Sequence, residues 1–294
     1  MELRPASEAD FEGEHAVLDA GEGGLRRRHG FPWTPPPFET FAAIHAHLLA
    51  TDPDRSWVAL ERGRVVGFVA AFVRGDAWFL SDLFVHPDFQ GRGIGAALLD
   101  RVWTDGPPKR ITIADAIQPV SNAMYARRGL VPTTPILELG GTPVRNDVLL
   151  AAVGPGPDTR AFEVGDAAPH VLAELDAAAY GFDRAADHAF WAERARCTVW
   201  CRDGEPVAYA YVSPGGRIGP LAGRDGVGAA AALAAELARH DDSPVYLDVP
   251  GSARELVEAA LAAALRITGP PGLLLLSRGL EPPRGLAISG YWLL

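Results

Sequence analysis

The stretch Trp78–Arg101, WFLSDLFVHPDFQGRGIGAALLDR, decides how this chain is read. An apolar strand runs into a short polar loop, then into Gln90-Gly91-Arg92-Gly93-Ile94-Gly95-Ala96, then into an Ala/Leu-rich helix. Gly93 and Gly95 lack a Cβ, so the backbone there can turn sharply and approach a ligand closely. The amides of the loop and first helical turn have no partner inside the helix. The helix dipole favours an anion at that end, and Arg92 adds a positive charge. Strand, glycine loop and helix in this order predict a cradle for a diphosphate.

Two nucleotide motifs compete for the same residues. Gly91-x-Gly93-x-x-Ala96 satisfies the dinucleotide fingerprint, with Asp115 about 20 residues further on. In that fold, however, the glycines follow the strand directly and open the domain. Here His86–Gln90 intervenes and two antiparallel strands come first, so a nicotinamide dinucleotide is disfavoured. The triphosphate P-loop needs Lys-Ser/Thr after its glycines, and neither follows here.

Outward from this stretch the chain reads as α/β with a mixed sheet. Leu3–Pro5 is a short strand, and Ser7 is a plausible cap for a helix starting near Glu8. After the Pro/aromatic loop HGFPWTPPPF a helix runs over 39–50. Strands follow at 56–61, 65–73 and 78–85, the first two joined by the tight turn Arg62-Gly63-Arg64. Beyond the glycine loop come a helix to about Trp103, a strand at 110–114, a helix at 119–128, and strands from Val131 and near Val148.

Gly154-Pro155-Gly156-Pro157-Asp158 carries strong turn chemistry and is expected to be a boundary. The later half repeats the earlier order. TVWCRDGEPVAYAYVSPGGRIGPLAG mirrors the strand–turn–strand–turn–strand run, and GRDGVGAAAALAAEL mirrors the glycine loop and its helix. Two tandem copies of one fold are therefore expected, over 1–153 and 159–294.

The 294 residues suffice for two domains, and 48% hydrophobic with 22% charged residues fits a globular protein. A formal net charge of −10 argues against nucleic acid or an anionic membrane surface as partner. Cys197 and Cys201, at i and i+4 of a predicted strand, lie about 13 Å apart, too far for a disulfide. With no apolar run in MELRPASEADFEGE and no span of roughly eighteen apolar residues, a cytoplasmic location is expected.

The glycine stretch also resembles the acetyl-CoA signature of the GNAT superfamily of N-acetyltransferases. The matching residues are Val85-His86-Pro87, then Gln90, Gly93 and Gly95. A later block, Asn122-Ala-Met-Tyr125-Ala-Arg-Arg-Gly129-Leu, is similar to the superfamily's L-Y-x-x-x-G-F motif. The resemblance covers 1–150 well and the later half by layout only.

It implies acetyl-CoA as cosubstrate, no metal, and acetyl transfer to a primary amine of a small molecule or peptide in a ternary complex. Its pantetheine arm would lie along Leu83, Phe84 and Val85, whose backbone would also supply the oxyanion donor. Its diphosphate would sit at Gly91, Arg92, Gly93, Ile94, Gly95 and Ala96, with Gln90 beside them. Gln118 takes the place of the superfamily's usual Asn. Tyr125 matches the tyrosine that protonates the departing thiolate.

The base position on the later strand is Ile113, which cannot act. Asp82 is the base candidate, and its alternative is a strand residue facing solvent or pairing locally. Asp115 and His86 are weaker candidates. Phe31 and Trp33 either wall the acceptor site or anchor their loop to the core. Arg26-Arg27-Arg28 reads as a solvated helix face or as an anion contact. His45 and His47 point to different sides of a helix, against a metal site.

The second glycine loop, Gly223-Arg224-Asp225-Gly226-Val227-Gly228, puts a carboxylate where the diphosphate would sit. Its later helix has no tyrosine. That half is expected to shape structure or acceptor site rather than bind cofactor. The readings left open are a non-catalytic acyl-CoA sensor and transfer to another nucleophile.

Overall fold

A computed structural model describes residues 1–104, 106–144, 169–240 and 243–294. The expected strand near Val148 and the Gly/Pro boundary at 154–158 lie outside the described residues. The chain forms two compact units. One comprises Met1–Pro132 with Leu275–Leu280, the other Thr133–Leu274 with Glu281–Leu294.

In the first unit, β1 (Glu2–Pro5) is followed by a 3-10 turn, Glu8–Asp10, and by α1 (Phe11–Arg28). Ser7 and Asp10 form a reciprocal cap in which Asp10 Oδ2 accepts from the Ser7 amide (2.9 Å) and hydroxyl (2.8 Å). Then come α2 (Phe38–Thr51), β2 (Ser56–Glu61), β3 (Arg64–Arg74), β4 (Ala77–Val85), α3 (Ile94–Val102), β5 (Lys109–Asp115), α4 (Pro119–Ala126) and the start of β6 (Leu130–Gly141). The expected elements match these within a few residues.

The sheet order is β1-β2-β3-β4-β5, with Leu275–Ser277 of β12 (Gly272–Ser277) next to β5. The β2–β3 hairpin turns on Arg62 (φ 51) and Gly63 (φ 77), the paired positive dihedrals that a two-residue type I′ turn demands. β3 lies centrally, and Val65–Phe72 is buried throughout. On one face of the sheet α3 presents Ile94, Leu98, Leu99 and Val102, the buried stripe of an amphipathic helix. The Trp78 indole N–H pins this helix by donating to Val102 O (3.0 Å).

Two irregularities of β4 position the site. Opposite β3, Ala70 pairs with Asp82 and Ala71 with Leu80, which leaves Ser81 as an extra, bulged residue. Against β5, β4 runs parallel, and pairing covers only Ala77–Leu80 with Lys109–Thr112. Beyond this fork, among the described residues, the parallel ladder with β5 does not continue along Leu83–Val85.

The second unit contains α5 (Pro169–Ala179), α6 (Ala185–Ala192), β7 (Arg196–Arg202), β8 (Glu205–Val212), β9 (Ile218–Gly223), α7 (Gly226–Arg239), β10 (Val245–Pro250), α8 (Arg254–Ala262), β11 (Arg266–Ile267) and β13 (Leu286–Ala287). One sheet runs β13-β9-β8-β7, and β6 pairs antiparallel with β10 and β11. The order helix, helix, three antiparallel strands, helix, strand, helix recurs from the first unit. The β7–β8 hairpin even repeats the type I′ geometry, at Asp203 (φ 53) and Gly204 (φ 82). Cys197 and Cys201 are buried thiols not joined in a disulfide, and burial pushes Cys197 up to about 12. Among the described residues no helix is long and apolar enough to cross a membrane.

Candidate active site

The segment between β4 and α3 is built to expose main-chain donors. Pro87–Phe89 forms a 3-10 turn whose start is tied back by the His86 amide to Val66 O (2.9 Å). Gln90 Nε2 donates to Val85 O (2.9 Å), which closes the loop against the end of β4. Arg92 donates to Asp88 O (2.8 Å) and lies over the Phe89 ring.

Gly91 (φ 75) and Gly93 (φ 80) hold left-handed conformations that disfavour a side chain, and a Cβ at either would meet nothing within 4 Å. The first helical hydrogen bond after the loop runs from the Ala97 amide to Gly93 O (3.0 Å). The amides of Ile94, Gly95 and Ala96 therefore have no partner inside α3. A helix start arranged in this way can accept an anion.

The matching turn of the second unit is filled. Asp225 caps α7 and accepts from the Gly228 amide through Oδ1 (2.7 Å). A Cβ on Gly226 would collide with the Glu255 carboxylate (2.7 Å), and one on Gly223 with the Ala229 amide nitrogen (2.6 Å). A carboxylate of the chain itself already occupies the helix N-terminus.

At the fork, Thr112 Oγ1 donates to Leu80 O (3.0 Å) where pairing ends. Leu83, Phe84 and Val85 follow, each half-buried. Val85 meets Gly95 of α3 on one face, and Phe84 stacks on Phe68 on the other.

Asp82 does not face solvent. Its side chain is fully buried, bonded to Ser81 Oγ (2.9 Å), with Oδ2 3.5 Å from His45 Nε2. His45 Nδ1 in turn lies 3.1 Å from Glu14 Oε2. The ring is stacked on Phe41 and edged by Phe11 and Phe68. The sequence reading of Asp82 named neither Glu14 nor His45 as its neighbours. The usable signal is placement: Glu14 falls between Phe11 and Leu18 on the buried stripe of α1, where a carboxylate needs a partner.

Tyr125, on α4, is buried. Burial first, and then the Asp82 charge, hold its phenol well above the ordinary tyrosine value, so the proton stays on at neutral pH. Gln118 is the N-cap of α4, its side chain accepting from the Val120 amide (3.3 Å). Asn122 Nδ2 bonds locally to Asp115 O (3.2 Å).

Asp115 and Arg26 are drawn into a further cluster. Arg26 contacts Glu22 (2.7 Å) and Asp115 (3.4 Å), so this arginine of the basic run is not a solvated one; Arg27 and Arg28 are exposed. Burial pushes the Glu22 carboxyl up, Arg26 opposes, and the Asp115 charge adds to the rise. Trp33 is an anchor: its indole donates to Asp19 (2.8 Å) and packs on Gly23. Phe31 follows the end of α1, its amide bonded to Arg26 O (3.0 Å).

Residues 22–130 match the Acetyltransferase (GNAT) family. They form a GNAT acetyltransferase domain. The span includes His45, Asp82, the glycine cradle and Tyr125, and Glu14 lies ahead of it. The mycothiol acetyltransferase of Rhodococcus jostii is 31% identical over 137 residues, 46% of this chain. The chain spans only 34% of the length of that curated relative. A crystal structure from Pyrococcus horikoshii superimposes on 100% of this chain and 95% of its own, with TM-score 0.75 and 18% identity. A GCN5-related N-acetyltransferase from Sphaerobacter thermophilus does so over 96% and 98%, with TM-score 0.61 and 15% identity. The fold of the described residues is thus one already seen in solved proteins.

Proposed function

We propose that this chain is an acetyl-CoA-dependent N-acetyltransferase acting on a primary amine of a small molecule or peptide, cytoplasmic and metal-independent. Its domain 1–153 binds the cosubstrate, and 159–294 is a second copy that has lost the cradle. The observation that carries the reading is the contrast between two equivalent helix starts. One offers amides with no partner inside their own helix, behind two open, positive-φ glycines, and the other is closed by Asp225.

The thioester supplies an activated acyl group. Gly91–Ala96 and Arg92 hold the diphosphate, and Gln90 and Gln118 flank it. The edge at Leu83–Val85, beyond the ladder with β5, takes the pantetheine arm as an added strand would be taken. A main-chain amide of that edge is the donor to the carbonyl oxygen as charge grows on it. Asp82 collects the proton that an ammonium acceptor must lose before it can attack. As the C–N bond forms and the C–S bond breaks, Tyr125 gives its proton to sulfur. The second proton, lost by the attacking nitrogen as the amide forms, restores the phenol.

Relatives named for mycothiol favour a small-molecule acceptor. Phe31 and Trp33 border the segment expected to receive it. The test is calorimetric titration with acetyl-CoA followed by thiol release across a panel of amines. Binding with amine-dependent release supports the reading; binding with no release from any amine would make the chain an acyl-CoA sensor.

A further inference from the structure

Asp82 is a base with no route to bulk water of its own, since its side chain is fully buried. A proton collected there must be stored nearby or returned. His45 Nε2 is 3.5 Å away, and the far side of the ring is held by Glu14 Oε2 at 3.1 Å from Nδ1. Glu14 Oε2 and His45 Nε2 are both buried polar atoms with no hydrogen-bond partner among the described residues, so a proton added to the ring would be stabilised by the carboxylates on its two sides.

The second unit provides an internal comparison. There Asp176 of α5 binds His188 of α6 at Nε2 (2.9 Å), and the ring rests against Tyr209 of β8. That repeats Glu14 of α1, His45 of α2 and Phe68 of β3. The remaining nitrogen of His188 is closed by the Tyr211 hydroxyl (3.0 Å). The residue before Leu221 on β9, in the place of Asp82 before Leu83, is Pro220. An acid–histidine pair is thus common to both units. Among the described residues, only the first unit directs the histidine's other nitrogen at a carboxylate on the strand that borders the fork.

We infer that Glu14, His45 and Asp82 form a buried proton relay in which His45 and Glu14 are positioning residues acting through Asp82. The inference rests on the acetyltransfer reading above. The first proton of the acceptor ammonium passes to Asp82 and on to His45 Nε2. The resulting imidazolium lies between two carboxylates, and Asp82 is again an anion before the next attack. No bond other than these proton transfers changes, and one proton per turnover leaves by the reverse path.

The test uses the full chain with acetyl-CoA and two probes, benzylamine, which is largely protonated at pH 7, and trifluoroethylamine, which is largely neutral there. For His45→Gln, kcat/KM for benzylamine is expected to fall roughly 100-fold, and for trifluoroethylamine no more than about threefold. The benzylamine loss is expected to shrink as pH rises and free amine accumulates. Glu14→Gln, nearly isosteric, should show the same pattern more weakly, and it carries the test if His45→Gln does not fold. Acetyl-CoA affinity should be unchanged in both. Equal losses for the two amines with an unaltered pH profile would mean that the trio merely ties α1, α2 and β4 together, and would overturn the relay alone. A wild-type chain inert to both amines at every pH would overturn the acetyltransfer reading, and the relay with it.

Discussion

Tyr125 shows what a single side chain can be asked to do. Its phenol is buried near Asp82, and both facts keep it protonated far above neutrality. A group meant to protonate a thiolate must hold its proton until charge develops on sulfur. Tyr125→Phe keeps the ring and removes only the donor. It should lower kcat roughly 100-fold while leaving acetyl-CoA affinity unchanged, as steady-state kinetics beside calorimetry would show. An unchanged kcat would remove Tyr125 from the chemistry. The sequence offers this residue as a candidate because a local motif carries it. It offers Asp82 as a candidate by residue type and position, but its burial was not legible. Glu14 and His45 come from distant helices, and only tertiary packing makes them its neighbours. Gln118, singled out by an offset from Tyr125, also caps its own helix.

At the scale of elements, strands and helices were readable from periodicity and turn residues. The Arg62-Gly63 hairpin needed no structure to place it. What could not be read is where a ladder stops. Parallel pairing of β4 with β5 ends at Leu80 and Thr112, and no residue type announces the parting that follows. Thr112, buried, bonds Leu80 O at that point. Thr112→Val deletes the hydroxyl and leaves a buried carbonyl short of a donor. It should cost about 1–3 kcal/mol in urea unfolding, and it should lower acetyl-CoA affinity if the fork shapes the pantetheine edge. A variant as stable as the wild type would dismiss the bond as a lock. At the start of α1, Arg4 and then Ser7 hold the Asp10 carboxyl below its ordinary value, against the opposing effect of burial. A carboxyl depressed on folding stabilises above its unfolded value near 3.9, and that contribution fades as pH falls through the lower folded value. Asp10→Asn should therefore destabilise the chain at pH 7 and flatten the acid limb of its stability curve. A parallel limb in thermal melts from pH 2 to 7 would refute the assignment.

At the scale of the whole molecule, one architecture recurs with opposite outcomes at the same turn. The repeat was visible in the order of strands, glycines and helices. The filling of the second cradle was visible in part, because Asp225 occupies a glycine-loop position where its charge opposes a phosphate. Glu255 was not legible, since it reaches Gly226 only through folding of α8 onto α7. The proposed function therefore predicts a stoichiometry of one acetyl-CoA per chain. Gly93→Glu places a carboxylate at the open cradle, where nothing in the fold meets a Cβ. Its left-handed backbone costs the fold roughly 1–2 kcal/mol. Two like charges about 4 Å apart, at an effective dielectric near 20, repel by roughly 4 kcal/mol. Even half of that weakens binding about 30-fold. Asp225→Ala, by contrast, should lower stability by about 1 kcal/mol through the lost cap and leave binding untouched. Calorimetry on the three proteins decides the matter. Two sites in the wild type, or a loss of affinity in Asp225→Ala, would return the second unit to cosubstrate binding. Full affinity in Gly93→Glu would move the diphosphate away from α3 altogether.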